Sequence, residues 1–499
     1  MSQQAINLRG GSVALVLMCA GALVAGWSVA TGHWVVLLPL LVLPILMALR
    51  IRAWAPYTAL VLAVSSVAWV YAYPRLFVGS RGVFGSEILL VMCLIAIFMR
   101  ARSNERTPLT GYVGTSVALG VFLCSAMVGV FVASANGTPT SLVLSAARPM
   151  AFYLSFWVAL AAMKTPRLRR SVVAILGAVA CSISVLQIAQ ALIGVDHTLF
   201  VLGSYTMQVA ADPTSGGFLR IRPPGLTLVY VAAVMAAAYL LWGPPIRRLV
   251  AAGVLGVCGT GILLSLNRNM ILGVIVGLAA AGVVARQRGR FVIGVLVSVL
   301  VIGAVVAVVS SESWVSKNNR LVERMLTLAD VRGLQGGSLD VRAYENGLAR
   351  KVLRRQWLGG IGWGTSYGAT LPVFDGQTYV FVDRPWVHNQ YYSMWLRTGV
   401  VGFVALLIAL GLALWHACRE LRHPQVGSEA WMAAGAVAAL VALMASAAVG
   451  LYFSEPASIV PLAGVMALAI ALDAPAPDSV RTCQSRDVVI GGPSPLRGP

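Results

Sequence analysis

His388 stands in the string Arg384-Pro385-Trp386-Val387-His388-Asn389-Gln390-Tyr391, just ahead of an apolar run that begins near Thr398. An imidazole titrates near neutrality, so at the edge of a membrane span it could take a proton from a hydroxyl as a general base. The plainer reading is a structural hydrogen bonder. Three arginines offer complementary chemistry. Arg220 and Arg222 end one polar segment, and Arg268 sits in Ser265-Leu266-Asn267-Arg268-Asn269 between two apolar runs. A guanidinium stays charged and its donor fork matches phosphate oxygens, so such a set suits a diphosphate at headgroup level. Against this stands simple snorkelling, which long basic side chains near helix ends commonly do. Arg268 is harder to explain that way, because a charge between two tightly connected spans is costly unless paired or wet. Arg148 is similar and could bind a lipid phosphate or pair within the bundle. Arg384 and Asn389, beside His388, are secondary candidates.

The elements that must hold these residues are membrane spans. The chain is 59% hydrophobic and only 11% charged over 499 residues, too few polar groups to coat a soluble surface of that size. Apolar runs long enough to cross a bilayer recur up to about residue 473. They fall at about 12–30, 33–49, 55–73, 85–100, 112–134, 141–163, 171–193, 225–242, 248–265, 269–285, 291–310, 398–418, 430–452 and 456–473. The expected fold is all-α: a polytopic transmembrane helical bundle of about 12–14 spans, with one large extracytoplasmic loop containing short helices.

Charge tests that division, because cytoplasmic loops are enriched in Lys and Arg. Arg50 and Arg52, Arg100 to Arg106, Lys164 to Arg170, Arg247 and Arg248, Arg286 to Arg290, and Arg419 with Arg422 all fall on one side. This accounts for most of the net charge of +20 without nucleic acid as a partner. Both termini are then cytoplasmic, residues 1–473 form one transmembrane domain, and 474–499 read as a disordered cytoplasmic tail. The other side receives two longer loops, 194–224 and 311–397. Pro223 and Pro224 disfavour helix at Arg222 and allow one to start just beyond, which holds Arg220 and Arg222 at the membrane surface.

Asp340 to Trp357 has the pattern of an amphipathic helix lying along that surface, with Leu348, Val352, Leu353 and Trp357 at helical spacing and Arg342, Glu345, Arg350, Arg354 and Arg355 more polar. Gly359, Gly360, Gly362 and Gly364 follow. With no strand before them and no helix opening at once, they indicate a tight turn rather than a dinucleotide site. The seven cysteines are scattered, mostly in apolar runs, with no CxxC pair, so neither a disulfide framework nor a zinc site is supported. No cluster of outer Asp or Glu looks like a metal cage, which agrees with chemistry that needs no metal or other cofactor.

The order of motifs resembles the O-antigen ligase and polymerase superfamily, membrane enzymes that move glycans from a polyprenyl diphosphate carrier. Four pieces carry the resemblance: Arg220 to Gly225, Leu263 to Leu272, Ser338 to Gly364, and His388 to Gly402 with His388-Asn389, Thr398-Gly399 and Gly402. The chain departs from the family pattern at Asn267-Arg268-Asn269, where Ser-Arg-Gly is frequent. The resemblance implies an undecaprenyl diphosphate-linked glycan donor, a lipid or glycan hydroxyl as acceptor, and a site facing the periplasm from the bacterial inner membrane. It implies further that His388 handles the acceptor proton while Arg220, Arg222, Arg268 and Arg342 stabilise the diphosphate in an inverting transfer. A polymerase, with a second carrier-linked repeat as acceptor, is the nearest alternative. A polysaccharide-lipid transporter or flippase is a more distant one, predicting polar residues near the bilayer midplane and repeated halves. An intramembrane protease lacks support, as no HExxH or paired-aspartate signature is found.

Overall fold

The computed structural model describes residues 113–194, 199–285, 338–422 and 429–473, apart from single and loop positions within them, together with short pieces between 62 and 97. The spans expected at 12–30, 33–49 and 291–310, all of 55–73 but Leu62, most of 85–100, and the tail 474–499 lie outside the described residues.

Within lipid every backbone amide must find an internal partner, so long apolar runs become helices. In order these are α1 (Val113–Ala135), α2 (Thr140–Ala147), a 3-10 turn (Arg148–Leu154), α3 (Ser155–Ala162), α4 (Pro166–Ile193), α5 (Leu226–Trp242), α6 (Arg248–Leu264), α7 (Arg268–Val284), α8 (Ser338–Arg355), α9 (Gln390–Arg422), α10 (Ala430–Ala447) and α11 (Pro456–Leu472). Six helical stretches among the described residues are long and apolar enough to cross a membrane, with α2, the 3-10 turn and α3 forming one of them. Three shorter apolar helices, α5, α7 and α11, accompany them. Their positions agree with the apolar runs read from the sequence.

Beside the helices, the polar connections hold four two-stranded antiparallel hairpins among the described residues: β1–β2 (Arg75–Val78, Arg81–Phe84), β3–β4 (Val201–Leu202, Tyr205–Thr206), β5–β6 (Gln208–Asp212, Phe218–Arg222) and β7–β8 (Thr370–Phe374, Tyr379–Asp383). Runs such as Tyr379-Val-Phe-Val are β-branched and aromatic and are bounded by turn residues, a local preference too short to outweigh the surrounding apolar signal.

The core is built on α5, α10 and α11, whose residues are apolar on every side and buried along most of their length. Small residues bring backbones close. A Cβ on Gly273 would fall 2.0 Å from the Tyr230 hydroxyl, and one on Gly277 would fall 2.2 Å from the Ala438 carbonyl oxygen. This Gly-x-x-x-Gly spacing lets α7 lie against α10.

Contacts also sort the two ends of the bundle. At one end Arg169 donates to the Ala471 carbonyl at 2.6 Å, Arg170 pairs with Glu429, and His416 Nδ1 meets Asp473 at 2.7 Å. The start of α4, the end of α9, the start of α10 and the end of α11 therefore lie together at an arginine-rich end. The first residues of α5, α7, α9 and α11 lie at the other.

Candidate functional site

At that second end α9 runs past the expected start of its span. Its 33 residues amount to about 50 Å of helix, against a hydrocarbon core of about 30 Å. The helix breaks at Gly399, where φ is 67° and ψ is −178°. Only glycine adopts that backbone readily. The backbone groups freed by the break find other partners: the Leu396 carbonyl accepts from the Ile361 and Gly362 N–H at 2.7 and 3.2 Å, and the Val400 N–H donates to Leu358 O at 3.1 Å. The glycine turn after α8 thus docks into the break. Arg397 is buried and locks it, its Nη1 donating to the carbonyls of Gly362 and Thr365 at 2.6 and 2.7 Å.

The docked turn carries α8 onto the outer part of α9. Ala349 and Leu353 close a small apolar core with Ile361, Tyr367, Val387 and Leu396. The apolar face of α8 packs against protein, because the extended first turns of α9 offer it an apolar surface. Trp357 remains exposed.

This packing sets Glu345 against His388. Glu345 is fully buried, and its Oε2 lies 2.8 Å from His388 Nδ1 and accepts the His388 backbone N–H at 3.2 Å. A carboxylate on Nδ1 fixes the tautomer with Nδ1 protonated, leaving Nε2 as the acceptor. Glu345 Oε1 is buried without a hydrogen-bond partner among the described residues. Arg342 lies one turn earlier on the same face of α8. Burial lowers its guanidinium from the ordinary arginine range, and the Glu345 charge opposes that shift. Asn389 has a local role, its Oδ1 accepting the Tyr391 N–H at 3.1 Å at the first turn of α9.

A second group forms around Arg222. The β5–β6 hairpin pairs Arg222 with Gln208 and Arg220 with Ala210. Gln187 of α4 donates to Ile221 O at 2.9 Å and to Gly261 O at 2.8 Å, tying the end of the strand to α6. Pro223 and Pro224 then turn the chain, and α5 opens after Gly225, whose φ is 81°. Arg222 Nη2 donates to Asn267 Oδ1 at 3.2 Å, which brings the end of the β5–β6 hairpin against the α6–α7 connection. Arg268 is the first residue of α7, next to Asn267. Asn269 Nδ2 donates to the Tyr452 hydroxyl at 3.2 Å, and its carbonyl accepts from Ser446 Oγ at 3.1 Å. Both asparagines flanking Arg268 therefore have partners of their own.

The same group contains a carboxyl that neither hydropathy nor motif order singles out. Glu455, which precedes Pro456 at the start of α11, is partly buried, and burial pushes its pKa up to about 7 while the Arg222 charge pulls it down. With only 17 acidic residues in the chain, an acid at the non-basic end of a span was the available signal for Glu455. The two groups are bridged. Tyr391, one turn after His388, donates to Met444 O at 2.7 Å and packs edge-on against Phe453, the neighbour of Tyr452, with centroids 5.5 Å apart.

Two secondary candidates fall elsewhere. Arg148 forms an ion pair with Glu87, the within-bundle alternative. Arg384 lies outside the described residues, as does the side chain of Arg220 and that of Arg268.

A buried carboxylate on a histidine, with Arg342 one turn away on α8 and Arg222 at the same end of an apolar bundle, forms the context in which similarity to known proteins can be weighed. Residues 251–407 match the O-antigen ligase family. The O-antigen ligase domain takes in Arg268, Arg342, Glu345, the glycine turn and His388, and stops short of Arg220, Arg222 and Glu455. The family is one of membrane glycan transfer, with ligases and polymerases among its members. No curated protein matches the chain.

Proposed function

We propose that this membrane protein transfers a saccharide from a polyprenyl diphosphate carrier to a hydroxyl on a lipid or glycan acceptor, at the periplasmic face of the bacterial inner membrane. The observation that carries the reading is the Glu345–His388 pair, at the end of the bundle away from the basic loops. The positive-inside rule then assigns that end to the outside and the termini to the cytoplasm.

The acceptor oxygen attacks the anomeric carbon from the face opposite the diphosphate, forming one C–O bond while the bond to the carrier breaks, so the configuration inverts. The acceptor proton passes to His388 Nε2, and Glu345 stabilises the imidazolium that results. Negative charge grows on the departing diphosphate, and fixed positive charge from Arg222, Arg220, Arg268 and Arg342 answers it. Replacing His388 with Ala should abolish transfer from a lipid-linked glycan while the protein remains in the membrane. Full activity in that variant would exclude the base role. The lipid-linked material that accumulates in a deletion strain identifies the acceptor: long unligated chains mark a ligase and single repeats a polymerase.

A further inference from the structure

A groove far from this site has the features of a second lipid site. α4 and α6 touch toward their outer halves, where the Cys181 and Cys258 sulfurs are 3.9 Å apart and a Cβ on Gly261 would fall 2.9 Å from Gln187 Oε1 and Ser184 Oγ. Toward the arginine-rich end the two helices part. The space between them, floored by α5 and α11, is a cavity of about 670 Å³, within the size range of small-ligand sites. Its walls are apolar, with Val173, Met235 and Val254 among them, and a Cβ on Gly177 or Gly464 would meet nothing within 4 Å.

The length of the groove selects among hydrocarbon chains. From Arg170 at the mouth to Cys181 at the closed end, α4 rises about 16 Å at 1.5 Å per residue. That is half of a hydrocarbon core of about 30 Å, the depth of one leaflet. A chain that traverses both leaflets would not fit below the contact between α4 and α6.

The mouth selects a headgroup. Arg170 there is neutralised by Glu429, whereas Arg247 is exposed and has no ion-pair partner among the described residues. Tyr239 and Trp431 meet edge-on beside it, with centroids 4.8 Å apart, the aromatic pairing expected at the level where headgroups begin. Ile246 and Leu249, flanking Arg247 and Arg248, are 86% and 87% exposed, so this connection presents apolar side chains to its surroundings at that same level.

We infer that the groove between α4 and α6 holds one acyl chain of an anionic phospholipid of the cytoplasmic leaflet, with its phosphate on Arg247. This site is distinct from the transfer site and does not depend on it. The test uses the full-length protein in nanodiscs containing phosphatidylglycerol or phosphatidylcholine with a diazirine on the acyl chain, irradiated and mapped by mass spectrometry. Groove peptides that contain Gly177, Met235 and Val254 should be labelled about fivefold more by phosphatidylglycerol, the preference that one basic residue gives at an anionic surface. Arg247→Ala, a change at an exposed position, should remove the preference, and Gly177→Phe should block labelling by either lipid in a protein that still elutes as a single species. Equal labelling by the two lipids, a preference that survives Arg247→Ala, or absence of labelling because another segment fills the groove would each overturn the inference. So would displacement of phosphatidylglycerol by a diazirine-bearing polyprenyl phosphate. Transfer activity enters none of these readouts, so this inference and the proposed function fail separately.

Discussion

Glu345 Oε2 meets both Nδ1 and the backbone N–H of His388, at 2.8 and 3.2 Å, so one buried oxygen fixes the ring and the chain that carries it. The carboxylate comes from α8 and the imidazole from the segment ahead of α9, and the glycine turn between them docks at the break at Gly399. A histidine held this way cannot rotate to present Nδ1 to a substrate.

That geometry predicts a split between Glu345 and His388 variants. His388→Ala should lower kcat by about 10²–10⁴, the range of general base catalysis. Glu345→Gln keeps the shape but can no longer favour an imidazolium, so kcat should fall while KM for the donor stays near wild type. A merely structural role for Glu345 would instead lower the amount of folded protein and leave kcat per folded molecule unchanged.

Arg222 offers a test of diphosphate binding. A charge-assisted hydrogen bond contributes about 1.5–3 kcal/mol, so Arg222→Ala should reduce kcat/KM for the lipid-linked donor by roughly 10–150-fold. Arg222→Lys should recover part of this and no more, since an ammonium restores charge without the planar fork. Assays with donors carrying diphosphate and monophosphate linkages read this directly: the loss should shrink for the monophosphate.

Glu455 introduces pH into the same group. Its pKa near 7 lies above the usual carboxylate value, so the carboxyl is neutral at pH 6 and charged at pH 8. Once ionised it opposes the Arg222 charge, so donor binding should weaken as pH rises through about 7, seen as a rise in KM. For stability the sign runs the same way: a raised carboxyl pKa favours the folded state below the unfolded value, and that contribution is lost as pH rises through about 7. Glu455→Gln should flatten the KM profile across this window. A profile unchanged in that variant would assign the dependence elsewhere.

How much of this was legible beforehand depended on the range over which each signal acts. Hydropathy is local, and the runs that became α1, α4, α5, α6 and α10 could be drawn from sequence to within a few residues. The double proline after Arg222 likewise announced the start of α5. Pairings between distant segments leave no such trace. Glu345 is 43 residues from His388, and Asn267 is 45 from Arg222. On the helical wheel Glu345 was one polar position among several, and nothing local distinguished the acid that folds inward from the arginines that remain in water. The glycines were legible as a turn, but their partner, the break inside α9, was not, because a run of apolar residues looks the same whether or not one glycine in it departs from helix.

Gly399 therefore bears on both fold and chemistry, and it gives a prediction that needs no substrate. Its φ of 67° with ψ near 180° belongs to a region essentially closed to residues with a Cβ, at about 1–3 kcal/mol. A Cβ there would also fall 2.2 Å from the Leu358 carbonyl oxygen, a backbone atom that cannot move aside without undocking the turn. Gly399→Ala should accordingly lower the thermal midpoint in detergent by several degrees. A Cβ on Gly411, in the same helix, would meet nothing within 4 Å, so Gly411→Ala should leave the midpoint unchanged or raise it, since alanine is the better helix former. Because the docked turn carries α8 onto α9, Gly399→Ala should also reproduce the kcat loss of Glu345→Gln, in whatever fraction remains folded. A variant with a lowered midpoint but an unchanged kcat would show that the turn serves stability alone and that α8 finds His388 without it.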